Sequence, residues 1–294
     1  MTTRAQRFAF PAMLMGSAAL SFGPYLVRTA DVAPEASAFW RVGLATLPLF
    51  ILARLSGQDF PRLDRRILGL AALAGAFFTA DLVLWHLGIG LTTLANASLL
   101  SNAASFLLPL WGFLVLKQKP GKMALLAIAF AAAGTVLLMG RSAELSRDHL
   151  IGDLLCLGAA VLYTGYILVI DRLRGTVAPL PLLALVTLLG AALVLPYAYI
   201  AAGDAFWPTN WTPLIALALG SQVFGQGLIV YAVAYLRPIV VGLAFLIQPA
   251  ISGLIGALRF GEVPGPAELT GAALVVVALI LVRLPEKEPP AGRA

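Results

Sequence analysis

The sequence predicts an all-α membrane protein in which ten transmembrane helices form two inverted five-helix repeats around a central cavity. Three observations lead to this fold class: the composition, ten long apolar segments, and a residue pattern that recurs between the two halves. Of the 294 residues, 60% are hydrophobic and only 12% are charged, whereas soluble domains carry about 25% charged residues. A bilayer must therefore be the solvent for most of the chain.

Each predicted span is a largely apolar stretch close to the ~20 residues that a helix needs to cross a bilayer. Backbone hydrogen bonding in lipid permits only helices or closed barrels, and runs this long exclude barrel strands of about ten residues. The first segment follows Arg4 and Arg7 as in a signal peptide, but it lacks an A-x-A-like cleavage site, so we expect it to be retained. The polar, Pro-rich tail 285–294 is predicted to be disordered. The ten segments are 8–28, 36–55, 67–88, 93–115, 122–140, 150–172, 179–202, 213–235, 238–258 and 266–283.

The basic residues indicate how these segments are oriented. With the N-terminus in the cytoplasm, fifteen of the twenty Lys and Arg residues fall on the cytoplasmic side. Arg41 falls within the second segment, and only four lie on the opposite side: Arg28, Arg141, Arg147 and Arg259. Because positive charge concentrates on the cytoplasmic side, both termini are predicted to be cytoplasmic.

The same composition argues against several other classes of protein. The positive charges lie between apolar segments rather than in a patch, so the sequence predicts no nucleic-acid partner. A single cysteine, Cys156, allows neither an intrachain disulfide nor a cysteine metal cluster, and no metal or cofactor is predicted.

A repeated pattern relates the two halves, predicted as residues 1–145 and 146–284. Each half has a V-A-P tripeptide after its first segment, at 32–34 and 177–179. In the later segments, six residues recur at an offset of 144, from Leu99 through Ala129 to Leu243 through Ala273. At an offset of 142, Gly16, Ala18, Leu20, Gly23, Leu26 and Val27 match Gly158, Ala160, Leu162, Gly165, Leu168 and Val169.

Five helices per repeat is an odd number, so equivalent helices cross the membrane in opposite directions. Inverted repeats of this kind are typical of secondary transporters, which bind substrate near the midplane between the halves. The sequence therefore predicts a small-molecule substrate, a lipid environment and a carrier that can act as a monomer.

Short motifs resemble those of the drug/metabolite transporter superfamily, in its ten-helix EamA type. They are G-x-A-x-L-x-x-G at the start of each half, Phe39-Trp40-Arg41, Ala97-Ser98-Leu99-Leu100, Gln248-Pro249 and Phe260-Gly261-Glu262. The first half departs from the pattern, because Ser105 stands at the position matching Pro249 and Gln118 at the position matching Glu262.

The resemblance implies export of metabolites across the bacterial cytoplasmic membrane, typically amino acids. In length and general sequence character the chain is similar to aromatic amino-acid exporters of the YddG type. An exporter of other drugs or metabolites and a channel-like facilitator are the alternatives. Export by facilitated diffusion and proton coupling through Asp81 or His86 both stay open.

Polar side chains within the spans are candidates for the substrate path, because they are costly in lipid and should face the protein interior. Asp81 and Gln226 are counterparts in the two halves, as are Ser21 and Tyr163, and each pair should meet around the central cavity. The alternative is structural: Asp81 would pair with Arg41, and amides and hydroxyls would tie helices together. The candidate set is Ser21, Tyr25, Asp81, Trp85, His86, Asn102, Tyr163, Gln222, Gln226, Tyr231 and Gln248.

Four further residues are predicted hinges for alternating access: Gly23, Pro24, Gly165 and Pro249. A static kink that only shapes the bundle is the alternative. A membrane-embedded enzyme is the remote functional alternative. With only two histidines, and no metal-protease, serine-elbow or phosphate-loop motif, the sequence lacks the groups that such an enzyme would need.

Overall fold

The computed structural model describes residues 4–60, 62, 64–104, 107, 110–111, 114–115, 117, 122–173, 176–233, 235–236, 244–245 and 247–281. Within these ranges the chain is helical and contains no strand. The helices of the first half are α1 (Arg4–Ser21), α2 (Gly23–Thr29), α3 (Pro34–Leu55), α4 (Arg65–Leu91), α5 (Leu94–Ser101) and α6 (Lys122–Leu145). Those of the second half are α7 (Arg147–Asp171), α8 (Pro179–Ala202), α9 (Thr212–Ala216), α10 (Gln226–Val233), α11 (Ile247–Phe260) and α12 (Pro266–Leu281).

The described helices agree with the predicted spans. Six stretches are long and apolar enough to cross a bilayer, and two shorter apolar helices, Leu125–Leu138 and Pro266–Ala278, match the predicted fifth and tenth segments. Helices α5 and α11 belong to the fourth and ninth segments, parts of which lie outside the described residues. The tail 285–294 also lies outside them.

Helix packing follows the twofold relation that the repeat predicts. Helix α4 packs along α7, and its equivalent in the second half, formed by 217–233, packs along α1. In the same way α5 contacts α7, whereas α11 contacts α1. The pairs α3 with α8, α5 with α11, and α6 with α12 each join a helix to its own counterpart. The structure is therefore two interlocked inverted repeats, with each half supplying contacts to the other.

Glycines permit the closest of these crossings. Where α4 meets α8, a methyl group built on Gly75 would lie 2.7 Å from the backbone nitrogen of Gly190. Where α6 meets α12, a methyl group on Gly134 would lie 2.7 Å from the carbonyl oxygen of Gly271. Membrane helices associate through such small residues because their backbones can approach closely, which adds van der Waals contact in the absence of a hydrophobic driving force.

Two spans are less regular than the sequence predicts. The first is interrupted at Phe22, directly before Gly23 and Pro24, because proline has no N–H to continue the helical hydrogen bonds. The eighth contains a nine-residue π-helical segment, Leu217–Gly225, between α9 and α10. π-Helical turns are rare and occur frequently at functional sites.

Candidate functional site

A buried group of polar side chains lies where α3 packs against both α4 of the first half and the π-helical segment of the second. All six side chains are at most 8% exposed. We call this group the central cluster; it consists of Ser37, Arg41, Asp81, His86, Ser221 and Gln222.

Arg41 joins the two halves at the centre of this cluster. Its Nε donates a hydrogen bond to Oε1 of Gln222 at 3.2 Å, and its guanidinium carbon lies 5.5 Å from the centre of the Trp85 ring. Asp81 and Tyr163 lie within electrostatic range of the guanidinium. Asp81 and Arg41 form no direct ion pair, since the one ion pair among the described residues joins Arg28 and Glu262. The alternative assignment of Asp81 as a direct partner of Arg41 is therefore not observed.

Several polar atoms of the central cluster have no hydrogen-bond partner within the described part of the chain. They include one terminal nitrogen of Arg41, the amide nitrogen of Gln222 and the hydroxyls of Ser37 and Ser221. Both ring nitrogens of His86 also lack a hydrogen bond of regular geometry, although the backbone of Pro34 lies beside the ring. Buried polar groups in proteins nearly always have a partner, whether protein, water or ligand. The central cluster can therefore bind a molecule that supplies hydrogen-bonding partners for these atoms.

Aromatic side chains flank the central cluster. The indole nitrogen of Trp85 donates to the carbonyl of Ala97 at 3.3 Å, and its ring packs over Gly23 at the break between α1 and α2. Tyr163 of the second half lies near Arg41, its ring centroid is 5.4 Å from that of Tyr166, and the Phe78 ring is tilted against Tyr166 at 5.1 Å. The polar centre thus has aromatic walls from both halves.

A second polar group closes one end of the bundle, which we call the Arg28 end. Arg28 forms an ion pair with Glu262 and donates to the carbonyl of Ile89 at 2.6 Å and to that of Thr92. Glu262 also accepts from the backbone nitrogen of Leu94 at 2.8 Å. These contacts connect α2 and the 92–93 loop of the first half with the 261–265 loop of the second, so the halves are held together at this end.

The network continues inward to a fully buried carboxylate, Asp153. The hydroxyl of Thr92 donates to Asp153 at 2.6 Å, and the amide of Asn96 donates to both of its oxygens at 3.4 Å. The same amide lies 3.2 Å from the hydroxyl of Ser142. Asp153 thus ties α5, α6 and α7 together beside the Arg28 end.

A cavity of about 280 Å³ lies next to this network, between α5, α6, α11 and α12. Its walls are mostly apolar, with Leu99, Leu138 and Pro249 among them. Asn96, Glu262 and Glu268 supply its polar groups. Of the sequence-predicted residues, only Pro249 lines it.

The structure brings five of the sequence-predicted site residues together. Asp81, His86 and Gln222 belong to the central cluster, while Trp85 and Tyr163 adjoin it. Ser21 and Tyr25 lie near α11 instead. The backbone carbonyl of Ser21 accepts from Ser252 at 3.0 Å, and Tyr25 stands 6.2 Å from Phe260.

The other four predicted site residues are half-buried and lie in other surroundings. The amide of Asn102 donates to the carbonyl of Ser98 on its own helix at 2.8 Å. Tyr231 packs in a core group around Met13, 5.3 Å from Tyr235. Gln226 begins α10, and Gln248 lies in the first turn of α11.

The predicted hinge positions differ in their surroundings. Gly23 and Pro24 follow the break at Phe22 and are buried. Gly165 lies against the Phe77 ring, which a methyl group would approach to 2.9 Å, so close packing already requires glycine there. Pro249 is buried in the first turn of α11.

Sequence reasoning missed four of the residues that define these polar groups. Arg28 and Glu262 stand near segment ends, where charges are common, and 234 residues separate them. Asp153 was not singled out, although it is a carboxylate within a predicted span. The signal for Arg41 was present, because it falls within the second predicted segment and could not be assigned to either side of the membrane.

No three His, Cys, Asp or Glu side chains converge to hold a metal ion within the described ranges. The polar groups instead provide hydrogen-bond donors, one cation and one carboxylate near the centre of a helical bundle. This inventory is suited to reversible binding of a polar solute.

Comparisons with known proteins agree with this reading. The model of the EamA-like transporter family matches the chain twice, over residues 7–140 and 150–284. An uncharacterized transporter of Archaeoglobus fulgidus is 23% identical over 246 residues, 83% of this chain and 80% of its own. A crystal structure with 18% sequence identity has the same fold, with a TM-score of 0.61 over 96% of this chain and 98% of that one.

Two further relatives align over less of their length. YwfM of Bacillus subtilis, an uncharacterized transporter, is 27% identical over 187 residues, 61% of each chain. The threonine/homoserine exporter RhtA of Escherichia coli K12 is 26% identical over 152 residues, so the chain spans 51% of its length. The two family matches cover most of the sequence, one on each half, and the chain belongs to the EamA-like transporter family.

Proposed function

We propose that the chain exports small metabolites, amino acids in particular, across the bacterial cytoplasmic membrane by alternating access. The observation that carries this proposal is the buried hydrogen bond between Arg41 and Gln222, which joins the two halves amid unpartnered polar atoms. A solute bound there contacts both repeats at once. Rocking one repeat against the other then exposes the same site to either side of the membrane.

Membership of the EamA-like family supports transport of a small molecule. The printed name of one relative, threonine/homoserine exporter, supports amino acids as the substrate class and export as the direction. The excess of basic residues on one side supports cytoplasmic termini. With cytoplasmic termini, the Arg28 end lies at the outer face.

Closure of the Arg28 end supports alternating access as the mechanism. Arg28 and Glu262 come from different halves, and their ion pair connects loops that must separate for that end to open. The polar atoms of the central cluster lie deeper and are shielded from solvent. In this arrangement, release toward the Arg28 end requires the pair to break.

Aromatic side chains beside the central cluster favour a substrate with an apolar or aromatic group. Trp85 and Tyr163 lie beside Arg41, and Tyr166 and Phe78 extend the aromatic group from Tyr163. Aromatic rings prefer offset or edge-to-face neighbours, which an aromatic amino acid would supply. We therefore propose that aromatic amino acids are the preferred substrates among the amino acids.

The test is uptake of labelled amino acids by liposomes that contain the purified protein, with protein-free liposomes as the baseline. We expect saturable exchange of at least one amino acid without an imposed proton gradient, with aromatic compounds competing best. Exchange that occurs only with an imposed proton gradient would show that transport is proton-coupled and not facilitated diffusion. No saturable flux of any amino acid, in vesicles where the protein is folded, would refute the proposed substrate class.

A further inference from the structure

The central cluster combines one cation and one carboxylate that do not pair with each other. Arg41 is 4% exposed and Asp81 is 8% exposed, so both charges lie within the protein interior. Each feels the other electrostatically, yet no direct ion pair forms between them. An uncompensated charge in the interior is unfavourable, so each is a strong attachment point for a group of opposite charge.

The atoms around Arg41 match a carboxylate. The unpartnered groups at the Arg41–Gln222 hydrogen bond are a terminal guanidinium nitrogen of Arg41 and the amide nitrogen of Gln222. Both nitrogens can only donate hydrogen bonds. A carboxylate only accepts them, and a guanidinium binds it with charge-assisted, geometrically specific bonds.

Gln222 also determines which part of the guanidinium is available. Its Oε1 accepts a hydrogen bond from Nε of Arg41 at 3.2 Å. The amide oxygen is therefore already occupied, and the NH₂ group is the part of the amide that is left to bind a ligand. The same bond fixes the Arg41 side chain while one of its terminal nitrogens stays without a partner. A second acceptor from outside the protein is therefore needed to complete the site.

Asp81 matches the other end of an amino acid. It lies on α4 one turn before Trp85, whose ring faces the Arg41 guanidinium, and it accepts no hydrogen bond from the described residues. An ionised carboxylate is acceptor-only, and an ammonium group is donor-only. The pair Arg41 and Asp81 is neutral overall, and so is a zwitterion, so such a solute adds no net charge to the interior.

We propose that Arg41 and Gln222 hold the α-carboxylate of the substrate and that Asp81 holds its ammonium group, so that the site selects zwitterions. This inference rests on the proposed function and assigns the recognition of an amino acid to named side chains. An amine without the carboxylate leaves Arg41 uncompensated, and an acid without the ammonium leaves Asp81 uncompensated. The α-amino acid is the one compound of the three that satisfies both charges.

The test compares three solutes of the same shape: phenylalanine, phenethylamine and 3-phenylpropionate, followed by the corresponding trio for whichever amino acid is transported best. Each competes with the labelled amino acid for exchange by wild-type liposomes. Binding is measured separately as the rise in the thermal unfolding midpoint of the detergent-solubilised protein. We expect the amine and the acid each to compete about tenfold or more weakly than the amino acid, the loss expected for one charged hydrogen-bonding group.

Variants assign each charge to its partner. In Arg41→Gln we expect the KM for the amino acid to rise about tenfold or more while the preference for it over the amine disappears. In Asp81→Asn we expect the preference over the acid to disappear instead. The control is Arg54→Gln, the same change at an exposed arginine of the same helix, which should keep wild-type KM and both preferences. Arg41→Lys keeps the charge and tests the role of the fork-shaped guanidinium, should the glutamine variant fail to fold.

The outcomes separate the two proposals. Equal competition by all three solutes in an amino-acid-transporting wild type overturns the zwitterion site and leaves the proposed function intact. Unchanged selectivity in folded Arg41→Gln or Asp81→Asn overturns the assignment to these residues. If no amino acid is exchanged and none raises the unfolding midpoint, both the proposed function and this inference are wrong.

Discussion

Replacing Gly75 with alanine tests how tightly the framework around the central cluster is packed. Gly75 is buried on α4, about two turns before Asp81, where α4 crosses α8. The added methyl group would lie 2.7 Å from the nitrogen of Gly190, 2.9 Å from the carbonyl oxygen of Val186 and 3.0 Å from the Cα of Gly190. All three are backbone atoms, so no side-chain rotation can relieve the contact and α8 must move away.

The size of the effect follows from two opposing contributions. Alanine is favoured over glycine in a helix by about 1 kcal/mol, and overpacking a close contact costs about 1–3 kcal/mol. Gly69 on the same helix is the matched control, because nothing lies within 4 Å of the methyl group that would be added there. The helix preference cancels between the two variants. Gly75→Ala should therefore be less stable than Gly69→Ala by about 1–3 kcal/mol, which is the packing cost alone.

The assay is the free energy of unfolding in detergent, measured by denaturant titration with tryptophan fluorescence, for both variants and the wild type. Gly190→Ala approaches the same crossing from α8, where its methyl group would lie 2.7 Å from Cγ2 of Thr79. It should be destabilised as well. Equal stability of Gly75→Ala and Gly69→Ala would show that the two helices can separate freely, and the close crossing would then not position α4.

Three further predictions concern the polar groups. Arg28→Ala and Glu262→Gln should each weaken closure of the Arg28 end. A double-mutant cycle on the free energy of unfolding should give a coupling of about 0.5–3 kcal/mol. Additive effects would mean that the two side chains act independently. Thr92→Val removes a hydrogen-bond donor to buried Asp153 and should lower the free energy of unfolding by about 1–3 kcal/mol. The control is Thr46→Val, which should lower it much less, because the Thr46 hydroxyl donates only to the carbonyl of Val42 on its own helix. The hydroxyl of Thr209 lowers the pKa of Asp31 below its ordinary value of 3.8, with support from the backbone nitrogens of Thr209 and Asn210. The stabilisation by Asp31 should therefore be present above pH 3.8 and be lost as the pH falls through the lower pKa of Asp31 in the folded protein. Wild type and Asp31→Asn should accordingly differ in unfolding midpoint at pH 6 and converge under strong acid.

The spans and the repeat were predictable from the sequence, because both are properties of long stretches. The requirement for about 20 apolar residues acts on every span, and a recurring offset averages over many positions. The halves interlock in the structure as the inverted repeat requires, with α4 against α7 and its counterpart against α1. Local backbone irregularity was not predictable in the same way. Gly23-Pro24 indicates the break at Phe22, but no residue type marks the π-helical segment 217–225.

That segment explains why the two glutamines of the eighth span differ. On a regular α-helix, the i, i+4 spacing of Gln222 and Gln226 puts both side chains on one face. The residues that lead into Gln226 are wound more widely, with bonds between i and i+5. Gln222 is fully buried and bonds Arg41, whereas Gln226 is half-buried. The α-helical period therefore indicated the right span, and the backbone decided which glutamine faces the central cluster.

The central cluster was predictable in part. Asp81, His86 and Gln222 stand out because polar side chains are expensive within a membrane span. Ser37 and Ser221 do not, since a hydroxyl can bond its own helix at little cost. In the structure both hydroxyls are buried without a hydrogen-bond partner among the described residues, which the sequence alone does not reveal.

The repeat also has a consequence for the proposed transport cycle, because it does not supply the same charges at both ends. At the offset of 144 that relates the later segments, Glu262 corresponds to Gln118, which lies outside the described residues. The carboxylate that pairs with Arg28 therefore has a neutral amide as its counterpart in the first half, so the repeat does not supply the same ion pair at the opposite end. In alternating access the more firmly closed end opens less often, because a conformation is populated according to its relative free energy. With the cytoplasmic termini that we propose, this difference favours a resting protein that is closed toward the outside and loads from the cytoplasm, which is the direction of the proposed export.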